Sequence, residues 1–581
     1  MKRFVNKILV GAGAAITLLA GVTGCTRELD QYTKTQITDP VFWKSTNDLI
    51  TATNYLYTSL PNFTTPLEDA YSDFTLSTSS SAVINPISDG SRVPQGTDIR
   101  WNDAYKFIRA ANNIMEKAQN IPGDPAAIAN CVAQARFFRA LNYFNLLKAY
   151  GDVPYIDRTI AADDVLLYTP RTDRRIVVDS IYADLDFAAA HCPQADEIAA
   201  TTAASAEPNK EYGRITRSAA LAFKSRVALY EGSWQKFQLW PAITGPKDPA
   251  KHFSIAKEAA RTVMTEGKHN LFVSDGDLSF QTLFRYPGET YANNKENILA
   301  RIYGESIQNN ISSHNYMRAQ LTDGGNASSR AFVTLALYAD GLPAGKSPFD
   351  RNGSEEGLLT DYENRDPRMV LSLFKVGDPF VSISNPMAKY GNTFHYHQQK
   401  YWTGPQDFFN AAAGGVFIDF IVIRYAEVLL NYAEATYELN NSISDDDLNL
   451  SINLLRKRAT NNDATKLALL TNAFVAANGL SMRTEIRRER SIELAFEGFR
   501  YWDLLRWKTA ETELPKPLLG RKYFTNISYG SGVNPPPLLN GYNQYQAANR
   551  RRFDPQKDYL WPLPTVQIGL SRGTLKQNPN W

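Results

Sequence analysis

The sequence predicts an all-α protein, a scaffold of stacked helix pairs that carries loop-rich insertions. Three observations lead there. Apolar and Ala residues recur at spacings of three and four along most of the chain. Short turn signals divide successive helical stretches. One interior region loses the period and fills with Gly, Pro, Asn and Ser.

The longest periodic stretch runs from Asp124 to Tyr150, with Ile128, Val132, Ala135, Phe138, Leu141 and Leu146 in register. Pro125 sits where a first turn tolerates proline, and Gly151 follows as a stop. The same pattern predicts helices over residues 46–60, 97–119, 172–191, 216–237, 253–266, 420–439, 445–459, 466–478 and 481–510. Pairs divided by short turns point to helix hairpins of the tetratricopeptide kind, with a degenerate repeat of about 34 residues. No unit matches the full repeat pattern, and long insertions separate the pairs. From Asp275 to Asp419 strands are expected to be short, and Tyr, His and Trp are frequent. A second irregular stretch covers residues 513–553 around Pro535-Pro536-Pro537. Both read as loop layers on one scaffold, where recognition usually sits. The expected organisation is one domain over 25–581, with repeat helices in 25–270, an insertion in 275–419 and C-terminal helices with a closing segment in 420–581.

Residues 1–24 read as a signal peptide. Lys2, Arg3 and Lys7 form a positive start, and the apolar run from Ile8 to Val22 is too short to span a bilayer. It ends in Val22-Thr23-Gly24-Cys25, which resembles a bacterial lipobox, so Cys25 is the expected lipidated N-terminus. More than one acyl chain there makes a stable anchor. No second stretch of apolar residues is long enough to cross a membrane, so the lipid is the expected membrane attachment. With 62 basic and 60 acidic residues the net charge is +2, which gives no reason to expect a nucleic-acid partner. Aromatics make up 12% of the chain, with 30 Tyr, a side chain suited to wet recognition surfaces. Of the remaining thiols, Cys131 and Cys192 lie where an antiparallel helix pair would bring them face to face. A disulfide is one reading, and two buried small side chains is the favoured one.

The segment MRTEIRRERSIELAFEGFRYWDLLRW, Met482 to Trp507, is the most informative. On one continuous helix Arg490, Glu493, Glu497 and Arg500 form a charged stripe, with Asp503 beyond. Two close carboxylates raise acid–base cleavage of a glycoside, but alternating Arg and Glu that satisfy one another is the preferred reading. No catalytic residues are assigned. This segment closely resembles the hallmark C-terminal helix of the SusD/RagB family of Bacteroidetes outer-membrane lipoproteins. Other segments agree in order: WNDAYKFIRAANNIMEKA from Trp101, AQARFFRALNYFNLLKAYGDVPYI from Ala133, RVALYEGSWQKF from Arg226, LALYADGLP from Leu335, NRDPRM from Asn364, IRYAEVLLNYAEA from Ile423 and YLWPLPTVQIGLSRGTLKQNPNW from Tyr559.

The resemblance implies a scaffold of about four tetratricopeptide-like pairs, lipid-anchored on the outer face of the outer membrane. It implies a lid over a SusC-like TonB-dependent transporter, which captures oligosaccharides and passes them on. Within the family the alternative is peptide capture, and from other classes a surface glycoside hydrolase or a helical scaffold for protein partners. Its motifs mark scaffold, so ligand residues must come from chemistry: sugar C–H faces stack on aromatic rings with polar groups alongside. The candidates are Tyr71 and Asp73 in EDAYSDF, Tyr286, Tyr291 and Tyr316 in the insertion, and Tyr396 and Trp402 in KYGNTFHYHQQKYWTGPQDFF. Trp402 stands out because Gly404 and Pro405 put it beside a turn. For each Tyr the competing reading is a packed position. Trp101, Trp234, Trp502 and Trp507 read as scaffold. His395 and His397 share a strand face, but no third ligand is evident, so no metal site is assigned. No cofactor is expected, and a structural calcium ion elsewhere stays an open reading. Asp445-Asp446-Asp447 follows Ser444 and reads as a helix start.

Overall fold

Why the chain is helical is visible at its caps. Most of the long helices begin at an Asp or Thr whose side chain accepts from the first-turn N–H groups. The computed structural model describes residues 42–77, 86–200, 213–238, 246–289, 294–303, 326–351, 357, 359–375, 378, 394–404, 416–525 and 537–581. Its principal helices are α1 (Thr46–Leu56), α2 (Ile99–Ala118), α3 (Pro125–Tyr150), α4 (Arg174–His191), α5 (Arg217–Phe237), α6 (Pro249–Glu266), α7 (Tyr425–Asn440), α8 (Ile452–Ala459), α9 (Met482–Glu493) and α10 (Arg500–Arg506).

 Asp98 opens α2: its side chain accepts from Arg100 N at 3.0 Å. Asp124 caps α3 by accepting from the N–H groups of Ala126 and Ala127, Pro125 fills the first turn, and Gly151 ends it at φ 75°. Asp173, Thr216 and Asp248 cap α4, α5 and α6 in the same way. Ser444 caps the short helix Asp445–Asn449, as its position in the sequence leads one to expect.

The helices stack in series: α2 on α3, α3 on α4, α4 on α5, α5 on α6, α6 on α7, and α7 on α9. This is the all-α, tetratricopeptide-like architecture. One apolar cluster runs from Leu49 to Leu575 and takes in Trp101, Trp234 and Trp502 as scaffold. Trp507 is buried as well. Cys131 and Cys192 are buried free thiols.

Among the described residues eight short strands trim the array: β1 (Thr75–Ser77), β2 (Asn297–Arg301), β3 (Asn326–Ser328), β4 (Tyr396–His397), β5 (Phe420–Arg424), β6 (Leu518–Lys522), β7 (Leu538–Leu539) and β8 (Tyr542–Gln546). They form three antiparallel sheets, β1-β3-β4, β2-β5 and β6-β8-β7. Thr75 faces Ser328, and Ala327 faces His397.

Four helix expectations change. Residues 420–424 are β5, because Phe420 and the β-branched run Ile421-Val422-Ile423 suit a strand that is buried throughout and pairs with β2. In 466–478 only Asn472–Ala477 is helical, and 445–459 divides at Leu450 and Ser451. The hallmark segment is not one helix. α9 stops at Glu493, Phe496 and Gly498 take φ of 62° and 83°, and α10 restarts at Arg500. A Cβ on Gly498 would lie 2.5 Å from the Thr65 carbonyl oxygen, so glycine is required at this close approach.

The break overturns the single charged stripe but not its structural role. Glu493, Glu497 and Arg500 find partners on distant elements, not on one another. Five cations, Arg368, Arg424, Arg456, Arg458 and Lys400, meet five carboxylates, Glu296, Asp366, Glu489, Glu493 and Glu497, in one buried network. Arg490 pairs with Asp503 at 2.9 Å.

Candidate ligand-binding site

An open groove of about 770 Å³ crosses the N-terminal end of α2. Its wall is built from Asn62 and Thr64, the turn ending at Tyr71, residues 86–95, the start of α2 and Trp561. The closing segment holds residues 90–96 in place. Thr565 N and Val566 N donate to the carbonyls of Gln95 and Gly96 at 2.9 and 3.1 Å. Gly90, at φ 70°, passes so close to the Arg552 carbonyl that a Cβ would lie 2.5 Å from its oxygen.

The wall is a layered set of rings and guanidiniums. Tyr71 meets Tyr501 edge-on at 5.5 Å and Trp561 at 6.2 Å. The Arg92 guanidinium lies 3.7 Å above the Trp561 ring and pairs with Asp98 at 2.9 Å. Arg100 sits 4.8 Å from the same ring and pairs with Glu68. Glu68 also accepts from Trp502 Nε1 at 2.5 Å. Burial opposes the Glu68 charge, but Arg100 and Lys148 outweigh it and hold the carboxyl below its ordinary value. Burial pushes the Tyr71 phenol up and the Lys148 amine down to about 7. Val93 and Ile99 are 58% and 78% exposed at the rim, apolar surface beside hydrogen-bonding groups.

Of the candidates read from the sequence, Tyr71 lines this groove, half-buried. Three are corrected because they are inside the protein. Asp73 is buried in a two-bond ion pair with Arg500, both distances 2.9 Å. Tyr396 is 0% exposed and its hydroxyl donates to Asp361 at 2.7 Å. Trp402 is 3% exposed and packs edge-on against Phe374 at 5.5 Å, so its neighbouring turn does not bring it to the surface. Tyr286 is half-buried, stacked on Phe417 at 4.6 Å, and is not part of the groove wall. Tyr291, Tyr316 and Cys25 lie outside the described residues. Arg92, Arg100 and Trp561 were missed as site residues. The Asp98 cap and the Trp-Pro of the closing segment mark their neighbourhood, but nothing local shows that the two meet.

His395 and His397 contact each other, Nε2 to Nε2 at 3.0 Å, and His395 Nδ1 faces the Tyr545 hydroxyl at 2.6 Å. Burial pushes His395 down to about 3 and His397 well below its ordinary value. Among the described residues no three His, Cys, Asp or Glu side chains gather to hold a metal ion. Glu493 and Glu497 are 0% and 5% exposed. Burial opposes the Glu493 charge, but Arg458, Arg424 and Arg368 outweigh it and hold its carboxyl far below the usual range, a poor setting for a general acid.

Fold and groove together define a helical-repeat scaffold with an open groove lined by aromatic rings and guanidiniums. A family model described as the SusD family matches residues 288–581, and one described as starch-binding associating with outer membrane matches residues 33–229; the chain belongs to the SusD family. SusD-like protein P2 of Formosa agariphila is 25% identical over 83% of this chain and 80% of its own length. SusD-like protein P38 of the same organism is 22% identical over 90% of this chain and 95% of its own. Among solved structures, a SusD-like carbohydrate binding protein from Bacteroides fragilis superposes with a TM-score of 0.71 at 23% identity, covering 91% of this chain and 99% of that one. Surface glycan-binding protein A from Bacteroides thetaiotaomicron, in complex with laminarihexaose, has a TM-score of 0.58 at 17% identity, covering 92% and 99%. No helix among the described residues is long and apolar enough to cross a membrane.

Proposed function

We propose that this chain is a cell-surface glycan-binding lipoprotein, tethered through Cys25, that captures oligosaccharides and delivers them to a SusC-like TonB-dependent transporter. The observation that carries the reading is the groove beside Tyr71, where ring edges, exposed apolar side chains and guanidiniums line one open concavity. Family membership supports it, as does the laminarihexaose held by a protein of the same fold. Binding without chemistry is favoured because the two carboxylates of the hallmark segment are neutralised inside the scaffold. No cofactor takes part in this reading.

The test is titration of the purified protein with a panel of plant, host and microbial oligosaccharides and with peptides. A saccharide should bind and be recovered unchanged, and Tyr71→Ala should weaken it. Binding of peptides alone, or reducing ends appearing with time, overturns the proposal.

A further inference from the structure

The outer face of α2 continues past the groove. Ile99 and Asp103 belong to the groove wall, and the same face carries on through Lys106, Ala110, Asn113 and Lys117 at spacings of three and four. From Ile99 to Lys117 it extends about 27 Å at 1.5 Å per residue. Its C-terminal half is the floor of a second concavity of about 590 Å³, bounded by Tyr55 of α1 and by Thr159 to Ala161.

Three cations line this concavity, Lys106, Arg109 and Lys117, against one carboxylate, Glu116. Glu116 is already committed, accepting from both the backbone N–H and the hydroxyl of Thr159. Arg109 is exposed and reaches the Ile160 carbonyl at a long 3.4 Å. The Lys106 amine lies 5.6 Å from the centre of the Tyr55 ring, which is 41% exposed. Asp103, one turn earlier, draws on Lys106 from the neighbouring groove and does not line this one. In a chain of net charge +2, such a concentration of positive charge in one hollow is a local feature.

We propose that this basic hollow is a second subsite, which takes the carboxylate or sulfate of an extended acidic saccharide whose remaining units lie along α2 toward Tyr71. The inference rests on the glycan reading and adds the substrate class to it. An Arg fork and two ammonium groups meet an oxyanion, and the Tyr55 ring offers a face to the sugar carrying it. The hollow admits a chain between Tyr55 and residues 159–161, whereas a flat anionic bilayer would meet its rim first.

The experiment is calorimetric titration of the full-length protein in detergent with matched probes: uronate oligomers against their methyl esters, and sulfated oligomers against desulfated ones. The acidic member of a pair should bind tighter, with a preference that falls as salt rises. Arg109→Ala should weaken acidic binding about two- to fivefold. Arg109→Glu and Lys106→Glu should abolish the preference and leave neutral binding and Tm unchanged. Equal binding of both members, or a preference that survives both reversals, overturns the inference and leaves the glycan reading standing. Binding of phosphatidylglycerol vesicles that Arg109→Glu removes, with no saccharide preference, overturns it in favour of a membrane surface. Binding of no saccharide overturns both.

Discussion

At Glu493 three guanidiniums converge on one fully buried carboxylate. Truncating the charge there leaves Arg424, Arg458 and Arg368 short of a counter-ion in a medium that solvates them poorly. Glu493→Gln is therefore expected to cost about 3–5 kcal/mol in urea unfolding. Asp69 differs in kind. It is buried and accepts from the N–H groups of Gly498 and Arg500, and burial pushes it up to about 7 from an ordinary 3.8. A folded-state pKa above the unfolded one stabilises fully below the unfolded value, and that contribution is lost as pH rises through about 7. Asp69→Asn removes the titration, so the Tm of the variant relative to the parent should rise between about pH 5 and about pH 8. A relative Tm that is flat across that window would count against the assigned burial effect.

At the level of elements, the joint between α9 and α10 organises the scaffold. Phe496 and Gly498 turn the chain with positive φ, and Asp69 binds the turn from outside. Gly498→Ala would place a methyl against the Thr65 carbonyl in a backbone region that alanine avoids, at a cost of about 1–3 kcal/mol or more. Thr65 begins the turn that carries Tyr71, so the same substitution should also weaken saccharide binding. Unfolding and titration on one sample read both effects. The joint also delivers Arg500 to Asp73, which is why a residue that reads as a loop ligand is a structural one.

Across the whole molecule, the groove draws on both ends of the chain: Tyr71 and α2 from one, Trp561 from the other. Under the proposed function, that favours a rigid body whose freedom would come from a lipid tether at Cys25. Cys25→Ala should accordingly spare saccharide affinity in solution and impair uptake by cells, measured with labelled oligosaccharide. Normal surface retention and uptake in that variant would argue against a lipid tether.

What was legible in the sequence is what local spacing determines. The period of three and four, with Asp and Thr caps and Gly stops, located the long helices, and motif resemblance named the family. Tyr71, a candidate from its place before a Ser-rich loop, lines the groove. What tertiary structure alone decided is which charges and rings face inward. Arg490, Glu493, Glu497 and Arg500 look like one stripe by spacing, yet positive φ at Phe496 and Gly498 breaks the helix between Glu493 and Arg500, and partners at residues 73, 368, 400, 424, 458 and 503 hold them. Tyr396 and Trp402 have surface-like neighbours in sequence and core neighbours in space. Burial depends on contacts between segments hundreds of residues apart, and local pattern carries no record of them; the meeting of Arg92 with Trp561 is the clearest case.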